Sequence, residues 1–192
     1  EQMLKRLVDQ TDKKMHPLLQ KGKGEKILVL LIAPNRGLCG SLLSSLKKQT
    51  FAFLDDNQDE KIEFILIGEK GENFLLKLKQ KITANFTDIP DQPLFTQTLP
   101  ISHLLINGFT KYEYKKVYAI YTEFISTLKQ ETRVKQILPL KSPEDQTEEK
   151  SGYMLYEPAA EPILNQLLPY YVELITYHLI LEAKASEHSA RM

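Results

Sequence analysis

The residues best placed to do chemistry lie in one short turn. Pro34-Asn35-Arg36-Gly37-Leu38-Cys39-Gly40 follows an apolar run at 27–33 and precedes Leu43, Leu46, Phe53 and Leu54, an apolar stripe at helical spacing. Free backbone N–H groups in a glycine turn ahead of a helix can hold phosphate. A phosphate-cradling loop needs G-x-x-x-x-G-K-[ST], and a dinucleotide fingerprint needs G-x-G-x-x-G. Only Gly37 and Gly40 occur here, and no Lys-Ser or Lys-Thr follows them. The turn therefore reads as structural, shaped by Arg36, Gly37, Cys39 and Gly40, and no cofactor is expected.

Cys39 is the single cysteine. A nucleophilic role needs a nearby base and a lowered pKa. His16, His103, His178 and His188 fall in unrelated elements, so a buried structural thiol is the expectation. No Cys-x-x-Cys or His-x-x-x-His occurs, and His178 and His188 stand ten residues apart, too far to share a helix face as neighbours. The acidic run Glu144, Asp145, Glu148 and Glu149 lacks calcium-loop spacing and reads as a solvated loop. No carboxylate pair is placed for acid–base work. Tyr153, Tyr156, Tyr170 and Tyr171 gather around the start of the last helix, where they either close the core or form an interface, a setting rich in tyrosine.

The elements that must position these residues alternate along the chain. A continuous Ile/Leu/Val run at 27–33 is the pattern of a strand buried on both faces. Further strands are expected at 62–67, 82–87, 117–125 and 133–140, with helices at 70–78 and 101–112 and a loop at 88–98. About six residues separate the last two strands, fewer than a parallel crossover requires, so they form an antiparallel hairpin. Right-handed crossovers then give the strand order 3-2-1-4-5. The fold class is α/β: a Rossmann-like, doubly wound, mostly parallel sheet over 26–140, with an antiparallel edge strand.

Helices are expected at both termini, over 1–20 and 159–192, with a hydrophilic linker at 141–152. Leu4, Val8, Thr11, Met15 and Leu18 line one face of the first. Pro17 should end or kink it, and Pro169 should kink the last. After Glu182 the side chains shrink to Ala183, Ala185, Ser186, Ser189 and Ala190, which lets another helix approach closely. Residues 1–26 carry a net charge of +3 and residues 157–192 one of −3. The two helices are expected to pair antiparallel, with Leu4, Val8, Met15 and Leu18 meeting Leu179, Ala183 and Ser186.

The bulk numbers bound the function. The 192 residues are 42% hydrophobic and 26% charged, which fits one globular domain with a real core. Twenty-five basic residues balance twenty-five acidic ones, so nothing points to nucleic acid. One cysteine allows no internal disulfide, no signal peptide is visible, and the longest apolar run is far too short to span a membrane. Any membrane association is expected to come through partners.

Four stretches also resemble the gamma subunit of F-type ATP synthases. They are Arg36-Gly37-Leu38-Cys39-Gly40, Ile67-Gly68-Glu69-Lys70-Gly71, Leu155-Tyr156-Glu157-Pro158, and the run from Glu182 to Met192 containing Ala185-Ser186-Glu187-His188 and Ala190-Arg191-Met192. They stand in the family's order across nearly the whole chain. The resemblance implies a non-enzymatic central-stalk rotor subunit whose two long helices form a shaft inside the alpha–beta hexamer. It implies a foot domain seated on the c-ring beside the epsilon subunit, with Tyr153, Tyr156 and Glu157 at that contact. It also implies a peripheral position on the cytoplasmic face of a bacterial inner membrane. This chain looks like the foot with shortened shaft helices, and it lacks the cysteine-bearing insertion of photosynthetic gamma subunits. The alternatives are a small doubly wound nucleotide-binding enzyme, resting on fold analogy alone, and a generic scaffold domain.

Overall fold

A computed structural model describes residues 16–140 and 160–192. The residues Lys26–Ile32 form β1, and the alternation of its side chains builds two cores. Ile27, Val29 and Leu31 point to one face of the sheet, and Leu28, Leu30 and Ile32 to the other. All six are at most 3% exposed, as a central strand covered on both sides requires.

On the first face lie α1 (Leu42–Asp55) and α2 (Glu72–Lys77), which follow β1 and β2 (Lys61–Ile67). They contribute Leu46, Phe53, Phe74 and Leu75 to a core with Phe64 and Leu66. On the second face lie α3 (Phe95–Thr110) and α4 (Ala160–Arg191). Ile101, Leu105 and Phe109 from α3 join Leu164, Leu168, Val172, Leu179 and Ile180 from α4 over Ile65 and Ile67. The architecture is three layers, helix–sheet–helix.

The sheet is completed by β3 (Lys81–Phe86), β4 (Tyr114–Ser126) and β5 (Lys129–Leu138), in the order β3-β2-β1-β4-β5. β1 pairs parallel with β2 and β4, β2 parallel with β3, and β4 antiparallel with β5. This is the expected α/β fold with the expected strand order and antiparallel edge strand.

The hairpin strands and α3 differ from the expected boundaries. The hairpin strands are longer, leaving only Thr127 and Leu128 between them. Their outer halves are held by charge instead of apolar burial. Arg133 Nε donates to Glu123 at 2.9 Å, and both Arg133 and Lys129 reach Glu131. Helix α3 starts six residues early, because the Gln97 side chain accepts the Leu94 N–H at 2.8 Å and closes the first turn. Pro100 is carried inside it. Helix α4 spans its expected range to Arg191, with Pro169 inside it.

β4 continues beyond β1. Leu31 pairs with Ile120, so the strand runs six residues past that level, to Ser126. The hairpin thus projects beyond the parallel part of the sheet, alongside the last third of α4.

Candidate functional site

Three of the four motif stretches meet at the carboxyl edge of the parallel strands. The turns after β1 and β2 are joined through their backbones. Ala33 N–H donates to the Ile67 carbonyl at 2.8 Å, and Lys70 N–H to the Pro34 carbonyl at 3.2 Å. Gly68 has φ +89°, and a Cβ there would lie 2.1 Å from the Ala33 carbonyl oxygen. Only glycine fits that backbone and that approach. The turn after β1 reverses with Leu38 at φ 59° and Gly40 at φ 56°, which tucks Cys39 inward at 3% exposure. The thiol is free. Cys39→Ser should lower stability by about 1 kcal/mol, since it sets a hydroxyl in an apolar site. Denaturant unfolding measures this, and rapid thiol labelling of the native protein would contradict the buried placement.

The third stretch comes from α4. The Asn35 and Arg36 N–H groups donate to the same oxygen of Glu187, Oε1, at 3.2 and 3.4 Å. Glu187 is 3% exposed. Arg191 pairs with the same oxygen from one turn along the helix. On the other oxygen side stands the buried Lys184 ammonium, 3.7 Å from Glu187 Oε2 and 3.9 Å from Asp91 Oδ1. The Asn35 amide donates to the Ile89 carbonyl at 3.3 Å. A second set of contacts ties α4 to the hairpin. Ser186 Oγ donates to the Thr122 carbonyl at 3.1 Å, and Ser189 Oγ to the Thr127 carbonyl at 3.0 Å. Gln130 Nε2 donates to Ser189 Oγ at 3.3 Å.

The chemistry of this edge follows. In doubly wound sheets a ligand sits at the carboxyl ends of the strands where the order reverses, here between β1 and β4. The anion that meets the turn's N–H groups at this place is the protein's own Glu187 carboxylate. The arrangement joins a loop to a helix, and two of the donors a phosphate would use are already engaged.

The amino edge of the sheet holds another charged cluster. Glu63 Oε1 accepts from Lys26 Nζ at 2.8 Å and Lys81 Nζ at 2.9 Å, and Oε2 from Tyr114 at 2.8 Å and Thr83 at 3.2 Å. Burial alone would raise the Glu63 carboxyl; the hydrogen bonds from Lys26, Lys81 and Tyr114 more than offset it and bring it down to about 2. Burial, then the bond to Glu63, pushes the Tyr114 hydroxyl up to about 12.

Arg36, Gly37, Cys39 and Gly40 all lie in the turn, with Arg36 and Gly37 exposed at its tip. Leu18 is fully buried in the second-face core, in a single 3-10 turn at Pro17–Leu19, and its carbonyl accepts the Leu140 N–H at 2.9 Å. Leu179 and Ala183 belong to that same core. For Ser186 the close neighbour is strand β4, where another helix was expected. Leu4, Val8, Met15, Tyr153, Tyr156 and Glu157 lie outside the described residues. Sequence reasoning missed Glu187, Lys184 and Glu63. Glu187 stood inside a quoted motif, yet its partners are 151 and 152 positions upstream. Among the described residues no group of three or more His, Cys, Asp or Glu side chains is placed to hold a metal ion, and no described helix is long and apolar enough to cross a membrane.

Comparison with known proteins adds an independent line. A family model described as ATP synthase matches residues 1–192. The ATP synthase gamma chain of Roseiflexus sp. (strain RS-1) is 39% identical over 168 residues, covering 86% of this chain and 58% of that protein. The gamma chain from Dehalococcoides mccartyi is 38% identical over 178 residues, covering 93% and 62%. The chain therefore spans about three fifths of the length of these relatives. Among solved structures, a chain of the central stalk and c-ring of Tetrahymena thermophila mitochondrial ATP synthase superposes with a TM-score of 0.71 at 19% identity, covering 98% of this chain and 82% of that one. A chain of the Euglena gracilis mitochondrial ATP synthase rotor gives 0.62 at 16% identity, covering 100% and 73%. At these identities the structural likeness speaks for the fold.

Proposed function

Because the chain belongs to the ATP synthase family over its whole length, with gamma chains among its relatives, we propose that it acts as the foot of the central-stalk rotor. In this reading it passes torque between a membrane c-ring and the catalytic alpha–beta hexamer. It catalyses nothing itself, and it contacts the c-ring and the epsilon subunit through the segment holding Tyr153, Tyr156 and Glu157. Residues 1–20 and 159–192 contribute to the shaft, with Leu4, Val8 and Met15 on its pairing face. Its place is the cytoplasmic face of a bacterial inner membrane, held there by partners.

The observation that carries the reading is the junction at the carboxyl edge. A torque transmitter needs a stiff body fixed to its shaft, and close-packed interiors transmit strain. Here a 32-residue helix, about 48 Å long at 1.5 Å per residue, is bonded to two separate parts of a packed α/β domain. A doubly wound nucleotide-binding enzyme is not favoured, because Glu187 engages the turn where a phosphate would sit.

The test is calorimetric titration of the chain with ATP. No saturable heat is expected. Saturable binding abolished by Arg36→Ala or Gly40→Val would move the assignment to the enzyme class.

A further inference from the structure

The contacts of α4 with the rest of the domain change character along its length. From Leu164 to Ile180 its buried face meets the core through apolar side chains, Leu164, Leu168, Val172, Leu179 and Ile180. The buried hydroxyl of Thr176 turns back on its own helix, to the Val172 carbonyl at 2.8 Å. Apolar burial is non-directional. It holds a helix against a sheet but resists rotation about the helix axis only through side-chain shape. Hydrogen bonds are directional and weaken steeply when bent.

Midway along the helix Tyr177 donates to the Pro93 carbonyl at 3.3 Å and Glu173 pairs with His103 of α3 at 3.2 Å, but the hydrogen bonds to the sheet itself and to the turn after β1 gather in the last third, on two sides. Glu182, Ser186 and Ser189 recur at four- and three-residue spacing and so share one stripe. Of these, Ser186 and Ser189 donate to the Thr122 and Thr127 carbonyls, on and just past β4. Glu187 is one residue on from Ser186, about 100° around the axis. It meets the Asn35 and Arg36 N–H groups of the turn after β1. Lys184 reaches the same side, toward Asp91. The helix is thus gripped at one level by the hairpin and by the turn. Turning it either way about its axis stretches one set of bonds or the other.

The geometry points to Ser186 and Glu187 as a rotational clamp: positioning residues that fix the angle of the shaft helix relative to the foot, so that torque passes between them without slip. This rests on the rotor reading and adds to it the place inside the chain where the angle is set. The exposed Arg36 and Leu38 at the tip of the turn are not needed for the clamp, which uses backbone N–H groups.

The experiment uses the complete gamma chain containing this segment, assembled into the whole ATP synthase. Lys77→Cys, at an exposed position of α2 across the sheet from α4, carries a biotin and a bead. Angular fluctuation of the bead, with the hexamer fixed to a surface, gives rotor stiffness. Combining Ser186→Ala with Glu187→Ala should soften the rotor about two-fold or more, since it removes a bond on each of the two sides and most of what remains is apolar and non-directional. Ion pumping per ATP hydrolysed should fall, with the complex still assembled and its hydrolysis retained. Equal stiffness and equal pumping overturn the clamp. If the double variant does not assemble, Glu187→Gln and Ser186→Ala are read singly: softening in each supports the clamp, and none in either overturns it. If the Lys77→Cys protein alone shows no ATP-driven rotation, the rotor reading itself fails and the clamp falls with it.

Discussion

Glu63→Gln should destabilise the domain by about 3 kcal/mol at neutral pH, and the loss should shrink as the solution is acidified. The carboxylate is 8% exposed and accepts four hydrogen bonds, from Lys26, Lys81, Thr83 and Tyr114. Glutamine keeps the shape but offers an amide where Lys and Tyr donors converge. Breaking a buried pair costs about 3–5 kcal/mol. The low end applies because the Lys26 and Lys81 side chains are 38% and 66% exposed and regain water when unpaired. The sign with pH follows from the lowered carboxyl. In the unfolded chain Glu63 titrates near its ordinary 4.5, and in the fold at about 2. Its contribution is fully present above the upper value and is lost as pH falls through the lower one. Urea unfolding of both proteins at pH 7, 4 and 2 should show the gap closing stepwise. A constant gap would mean the carboxylate's charge is not what holds the cluster. At the alkaline end Tyr114 has the opposite sense. Its hydroxyl is raised to about 12, so stability should decline between roughly pH 10 and 12 as the unfolded chain ionises first.

Gly68→Ala should cost about 3 kcal/mol or more, among the largest effects of any single methyl in this protein. Two independent conditions fail together. The backbone stands at φ +89°, and the new Cβ would lie 2.1 Å from the Ala33 carbonyl oxygen and 3.2 Å from Asn35 Oδ1. The first clash is with backbone, so relief requires the turn after β1 to move, and that turn holds Glu187. Gly37→Ala is the matched control. Nothing lies within 4 Å of a Cβ there, so its effect should stay within about 0.5 kcal/mol. Similar losses for the two would mean that the close approach of the turns after β1 and β2 does not govern stability.

The sheet was legible because its signals are local. A seven-residue apolar run at 27–33, a connection too short for a crossover, and polar breaks between runs were enough to order β3-β2-β1-β4-β5. The outer half of β4 was read, but the start of β5 was not, because Lys129 to Thr132 form no apolar run and are held by charge: Arg133 pairs with Glu123 across the hairpin and with Glu131 on its own strand. The start of α3 was hidden by Leu94, which carries no capping side chain; the capping comes from Gln97 three residues later. The small residues near the end of α4 suggested another helix as close neighbour, whereas for Ser186 the neighbour is strand β4. The candidate site was half visible. Its glycine turn was read as structural from the missing lysine, but the carboxylate that completes it lies about 150 residues away. Glu63 is the same case: its partners come from β1, β3 and β4, and no spacing within one segment encodes such a meeting.

The central claim, that this chain is a rotor foot, is tested most directly by capture. The immobilised chain is challenged with detergent-solubilised c-ring and epsilon subunit, each from an ATP synthase of a gamma-chain relative. The account predicts that both are retained. It also predicts that combining Tyr156→Ala with Glu157→Lys weakens retention of the c-ring while the melting temperature barely moves. A folded chain that retains neither partner would contradict it.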